Sequence, residues 1–156
     1  MIDVIELRIG NVVNDDTNLA QEIGCKVVGI VESISEENIG LKYLRSDGDT
    51  FYGEEHPINL SPIPLTEELL LRCGFEWDKY NKSFFNKEFK PFITKNDGSK
   101  WWRINVSKSL FKEEYDNKLY LTSEVEYTVS NKPIDNLHEL QNIYFALTGK
   151  ELEVSL

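Results

Sequence analysis

Apolar residues near the end of the chain recur at three- and four-residue spacings, at Leu137, Leu140, Ile143, Tyr144 and Leu147. That period predicts an amphipathic helix over 137–148 with one face against a core. Asn136 stands where a side chain can accept from the first free amides, Glu139 three residues on can reach back, and Gly149 supplies a left-handed stop. A shorter helix is predicted over 66–73, capped by Thr66, opened by Glu67 and Glu68 on the end of the dipole that favours carboxylates, and ended by Gly74. Leu65 before the cap and Phe75 after the glycine are both placed to fold onto Leu70.

Elsewhere the pattern is extended. Residues 25–34 (CKVVGIVESI) are β-branched and apolar, 39–44 (IGLKYL) alternate, and Ser46-Asp47-Gly48-Asp49 reads as a turn before Thr50-Phe51-Tyr52. With 7–13 and 58–60 these segments predict a small SH3-like β-barrel of about five strands over residues 1–63. Pro57, Pro62 and Pro64 punctuate its exit, because proline lacks a ladder donor and restricts the residue before it. From 75 to 129 the stretches GFEWDKY, KSFFN, KPFITK, KWWRINV, KLYLTS and EVEYTVS read as an antiparallel meander, with turns at Asn81-Lys82, Asn96-Asp97-Gly98 and Ser123-Glu124. Such a sheet needs cover on one face, and the helix at 137–148 is the available element. The expected fold is α+β: a β-barrel-like subdomain over 1–63, a linking helix, and an α+β subdomain over 64–156, packed as one compact unit.

Three segments, ELRIGNVV (6–13), SPIPLTEELLLRCGF (61–75) and NLHELQNIYFALTGKEL (136–152), also carry a likeness. In this order they resemble a family of small uncharacterised proteins of bacteria, prophages and other mobile elements, with an "LRIGN" opening, a "PIPLTEE-LL-GF" centre and an "HELQN-YFALTG-EL" ending. The resemblance implies a small cytoplasmic accessory protein, phage-borne in some cases. It brings no catalytic residues, since none of the three segments contains catalytic chemistry.

Composition is that of a globular chain, 40% hydrophobic, 12% aromatic and 28% charged over 156 residues, enough for a substantial core. The first residues, MIDVIELRIG, show no basic leader, and no window approaches the ~20 apolar residues that cross a bilayer. A cytoplasmic protein with no membrane partner is expected. Cys25 and Cys73 have no CxxC spacing, so they read as reduced, buried thiols.

Charge is uneven. Residues 1–75 hold five Lys/Arg against fourteen Asp/Glu, whereas 79–112 hold nine against two, in a chain whose net charge is −10. In that basic block Lys79, Lys82, Lys87, Lys90, Lys95, Lys100, Arg103, Lys108 and Lys112 interleave with Tyr80, Phe84, Phe85, Phe89, Phe92, Trp101, Trp102 and Phe111. Cations that attract phosphates beside rings that stack bases are what a nucleotide or single-stranded nucleic-acid site requires. On that reading the residues to contact the ligand are Trp101, Trp102, Arg103, Lys100, Lys90 and Lys95. Lysines on the outer face of a meander whose aromatics fill the inner face give the same string. The excess of lysine over arginine and the net negative charge both weigh against a polyanion. Consecutive tryptophans on a strand face opposite ways, so at most one of Trp101 and Trp102 belongs in a core.

Catalytic chemistry has little to rest on. His56 and His138 are the only histidines, neither lies in an HExxH arrangement, and there is no GxSxG, Walker or GxGxxG motif. Asp47, Asp49, Glu54, Glu55 and His56 match no EF-hand spacing and read as a solvated hairpin end. His138 reads as a surface residue of the first helical turn. The acidic first half, including Asp15, Asp16, Glu22, Glu32, Glu36 and Glu37, suits either solubility or a basic protein partner. The sequence therefore points to a non-enzymatic, cytoplasmic binding protein of phage or mobile-element type, without cofactor or metal. Its partner is a host or phage protein, with a nucleotide or single-stranded nucleic acid as the alternative.

Overall fold

The computed structural model describes residues 2–17, 25–45, 47–89, 91–95, 102–115, 118–129 and 132–155. Its backbone divides into two compact units, Met1–Leu65 with Asn136–Leu152, and Thr66–Asp135 with Glu153–Leu156. The fold is α+β, with two five-stranded antiparallel sheets and two helices.

In the first unit β1 (Val12–Asp15), β2 (Cys25–Ile34), β3 (Ile39–Arg45), β4 (Thr50–Glu55) and β5 (Leu60–Ser61) lie in the order β4-β3-β2-β1-β5. The alternation along β3 places Ile39, Leu41 and Tyr43 on one face, where they join Ile2, Leu7, Val13, Val31 and Leu60 in the core. Gly29 stands opposite Tyr43, and a Cβ there would lie 3.2 Å from Leu41, so its bare backbone makes room for both side chains. The buried Asp15 carboxylate accepts from the Tyr43 hydroxyl (2.9 Å) and from the Thr17 amide and hydroxyl. Between β3 and β4, Gly48 takes φ +92° and the Asp49 amide donates to the Asp47 side chain, the turn chemistry anticipated there.

Two expectations for this unit are corrected. No closed barrel forms among the described residues: β4 and the two-residue β5 are the ends of an open sheet. The strand expected over 7–13 begins only at Val12, because Val4–Glu6 is a 3₁₀ turn, Gly10 takes φ +90°, and the Asn11 side chain accepts from the Arg8 amide at 2.8 Å. A second 3₁₀ turn, Pro57–Asn59, replaces most of the last strand and delivers Leu60 to β1.

The second unit opens with α1 (Glu67–Arg72). Thr66 accepts from the Leu69 amide at 3.1 Å, Gly74 at φ +78° donates to Leu71, and the Phe75 amide reaches Leu70, a glycine stop as expected. The meander follows as β6 (Glu76–Asp78), β7 (Ser83–Phe85), β8 (Phe92–Thr94), β9 (Arg103–Tyr115) and β10 (Lys118–Thr128), in the order β10-β9-β8-β7-β6. Ser123-Glu124, expected as a turn, is instead a register irregularity inside β10, which pairs along β9 as one long ribbon. The turn expected at 96–98 lies outside the described residues.

The last helix, α2 (Leu137–Thr148), has the expected ends: the Asn136 amide donates to Glu139 at 2.9 Å, and Gly149 at φ +71° donates to Phe145. Its place is not the expected one. It groups with the first unit, where its polar side chains hydrogen-bond the backbone at 6–12, rather than with the second sheet it was expected to cover. The buried face is turned accordingly, carrying Leu137, His138, Leu140, Gln141 and Tyr144, while Leu147 is 50% exposed. The expected domain boundary after residue 63 thus separates this helix from the sheet it belongs to.

Candidate functional site

The aromatic block of the second unit is sorted by its strand register. Trp77 pairs with Phe84, Phe84 with Ile93, and Ile93 with Ile104, one row across β6 to β9 on one face. The adjacent row, Asp78, Ser83, Thr94 and Arg103, occupies the other face. Trp102, two residues before Ile104, is 2% exposed, meets Phe84 edge-to-face at 5.8 Å, and exchanges backbone hydrogen bonds with Ile134. Lys95 Nζ lies 4.8 Å from its ring centroid, a cation held against the face a base would need. Of the residues proposed to contact a ligand, Lys95 and Trp102 are therefore together, and the exposed Arg103 is on the opposite face. Lys90, Lys100 and Trp101 lie outside the described residues.

Among the described residues of this unit, the two most exposed rings lie at the other end of the row. Trp77, on the edge strand β6, is 50% exposed and rests on Phe84 at 4.8 Å. Three residues on, Tyr80 is 86% exposed with Lys79 Nζ 5.1 Å from its ring centroid. Asp78 fixes the turn by accepting from the Tyr80 amide (2.8 Å) and from the Asn81 amide and side chain, and these hydrogen bonds hold its carboxyl below the usual range. Lys82 closes the turn at φ +49°. Trp77 was not singled out from the sequence. Its signal was its place in the first strand of a meander, where an inward-facing residue reaches the sheet margin and is covered on one side only.

A second assembly lies in the first unit, where α2 meets residues 6–12. The buried Gln141 accepts from the Val12 amide at 2.9 Å and donates to the Gly10 carbonyl at 3.3 Å. Asn142 accepts from the Asn11 side chain at 2.9 Å and donates to the Glu6 carbonyl at 2.7 Å. Arg8 forms a bidentate pair with Glu151, at 2.6 and 2.7 Å, and its guanidinium lies 4.1 Å from the Phe145 ring centroid. Those hydrogen bonds hold the Glu151 carboxyl below its usual range. Gly10 at φ +90° passes beneath this pair, where a Cβ would lie 3.0 Å from Glu151 Oε2. At the start of α2, the Leu137 amide donates to Ile63 at 2.9 Å and Asn136 bridges to Pro64. Residues from each of the three segments, at 6–12, at Ile63 and Pro64, and at 136–151, thus meet along this helix within the first unit.

Two side chains are exceptions within this polar joint of α2 with residues 6–12: Arg8, whose buried Nε has no hydrogen-bond partner, and His138. Expected at the surface, His138 is 1% exposed, and neither ring nitrogen has a hydrogen-bond partner. The nearest carboxylate, Glu6 Oε2, stands 3.8 Å from Nε2, beyond hydrogen-bonding reach. Burial lowers its pKa from the ordinary value, opposed by the charges of Glu139 and Glu6 and by the approach of the Glu6 side chain, which at 3.8 Å is an ion-pair contact rather than a formed hydrogen bond.

The remaining chemistry is sparse. Burial pushes the Cys73 thiol up to about 12 against the opposing charge of Arg72, the reverse of an activated nucleophile. Among the described residues no three His, Cys, Asp or Glu side chains gather as ion ligands, so Asp47, Asp49 and His56 share no site. Nor is any helix among them long and apolar enough to cross a membrane. No family model, curated protein or solved structure matches the chain.

Proposed function

We propose that the chain is a non-enzymatic binding protein of the cytoplasm, of the phage or mobile-element type that its three segments resemble, and that its partner is a host or phage protein. The observation that carries this reading is Trp77, half exposed on an edge strand while the rest of its row is buried. Tryptophan and tyrosine at a sheet margin are the side chains that dominate protein interfaces, because a rigid ring buries a large area at small entropic cost. Trp77 and Tyr80 form the contact surface, and the joint at α2 is scaffold. The first unit is SH3-like in strand order, a reading supported by the 3₁₀ turn before β5 and the return of β5 to β1.

Affinity capture from lysate of the producing cells, run with the full chain and with Trp77→Ala, tests this. A protein enriched by the parent and lost with a variant of unchanged melting temperature is the expected result. Identical captures by both chains would overturn it. The nucleotide or single-stranded nucleic-acid reading draws on Lys79 against Tyr80 with Lys82 nearby, although Glu76 and Asp78 flank Trp77. A saturable, salt-sensitive quenching of tryptophan fluorescence by oligonucleotides, abolished in Trp77→Ala, would replace the protein partner with that ligand.

A further inference from the structure

We infer that His138 is a proton-operated latch on the first unit: once its imidazole is charged it no longer fits the joint, and α2 is released from β1. Three features of its surroundings oppose a positive ring. It is buried at 1% exposure, so the charge would lose its hydration. Neither ring nitrogen is held by an acceptor, so the proton would arrive without a hydrogen bond to stabilise it. It is the second residue of α2, at the positive end of the helix dipole, which disfavours cations.

The carboxylates that oppose this are Glu6, from the 3₁₀ turn packed against the helix, and Glu139, from α2 itself. Glu6 is 3.8 Å away with its side chain about half exposed, and the half-buried Glu139 is engaged by the Asn136 amide, so neither is placed as a close acceptor for the ring. Both carboxylates favour its charged form, and burial outweighs them. The cation nearest in sequence on the facing segment, Arg8, has its guanidinium committed to Glu151 and Phe145. Release has a direct structural consequence. Gln141 and Asn142 follow His138 on the same helix, and their side chains hydrogen-bond Val12, Gly10, Asn11 and the Glu6 carbonyl, so movement at His138 strains these four bonds. The latch is independent of any binding surface on the second unit.

The sign follows from the lowered pKa. The neutral ring's contribution is fully present above the ordinary histidine value of 6.5 and is lost as pH falls through it toward the folded-state value. In that window the ratio of docked to released α2 falls by at most about tenfold per pH unit, the limit for a single proton.

Two measurements on the full chain test the latch. NMR titration of the imidazole signals, with His56→Gln removing the second histidine, gives a midpoint for His138 below 6.5. Hydrogen exchange from pH 7.5 to 5 then shows amides of 12–15 and 139–148, corrected for intrinsic rates, losing protection as pH falls. The same comparison in His138→Gln shows no pH-dependent loss there. Glu6→Gln, a change at an exposed side chain, moves the His138 midpoint lower still, and it keeps the proposal open to refutation should His138→Gln fail to fold. A midpoint at or above 6.5, unchanged protection across the range, or an upward shift in Glu6→Gln would each overturn the inference.

Discussion

The first unit holds its helix by polar geometry between segments at opposite ends of the chain, whereas the second builds its apolar row from strands that follow one another in sequence. In the joint of α2 with residues 6–12, the carboxamides of Asn11, Gln141 and Asn142 and the amides of Arg8 and Val12 have named partners at defined distances, and one misplaced group leaves another unsatisfied. Along the row from Trp77 through Phe84 and Ile93 to Ile104, what matters is ring and aliphatic volume. Long-range polar locking makes a unit particular about orientation; a local apolar row makes one particular about size. Charge divides the same way. Of the chain's 27 acidic and 17 basic residues, 14 and 5 lie in the first unit, and 13 and 12 in the second. Acid-sensitive behaviour and any attraction of basic partners belong to the first, and a near-neutral aromatic margin to the second.

The contrast is sharpened most by removing volume from the second unit. Trp102→Ala is expected to destabilise it by about 3–5 kcal/mol, read by chemical denaturation, because the buried ring leaves a cavity its neighbours cannot fill. Next comes the joint. Gln141→Ala leaves the Val12 amide without its acceptor and is expected to cost about 1–3 kcal/mol. A comparable loss, about 1–2 kcal/mol, is expected of Gly10→Ala, which combines a positive φ with the approach of a Cβ to the Glu151 carboxylate. Smaller still is Glu151→Gln. Its pair with Arg8 is partly exposed, so thermal unfolding is expected to register less than about 1 kcal/mol, declining with salt. At the bottom stands Arg103→Ala, exposed on the outer face, with an expected change within about 0.5 kcal/mol. An Arg103 effect as large as that of Gln141 would erase the distinction between outer face and joint.

Local chemistry explains which elements were legible in the sequence. The caps at Thr66 and Asn136, the stops at Gly74 and Gly149 and the alternation of β3 are written within a few residues, and the structure has each of them. The candidate site was half legible. The pattern alone allows at most one of two consecutive tryptophans in the core, and Trp102 is there, but no local signal marked Trp77 as the ring left at the edge. What the sequence withheld was long-range. The partner of the last helix is set by Gln141 and Asn142 finding the backbone at 6–12, and no hydrophobic period records such pairings. A helix whose buried face includes two polar residues also defeats a purely apolar count, which is why His138 was expected in solvent and Leu147 in the core. The strand expected over 7–13 failed for a related reason: apolar residues interrupted by Gly10 and Asn11 gave way to a turn fixed by Asn11 itself.

Hydrogen exchange on the Gln141→Ala chain at neutral pH tests the joint most directly. Faster exchange at 12–15 and 137–148, with 76–94 unchanged from the parent, is the expected result. Faster exchange of equal size at 76–94 would show that α2 is held by the second sheet, and would contradict a first unit closed by its own polar joint.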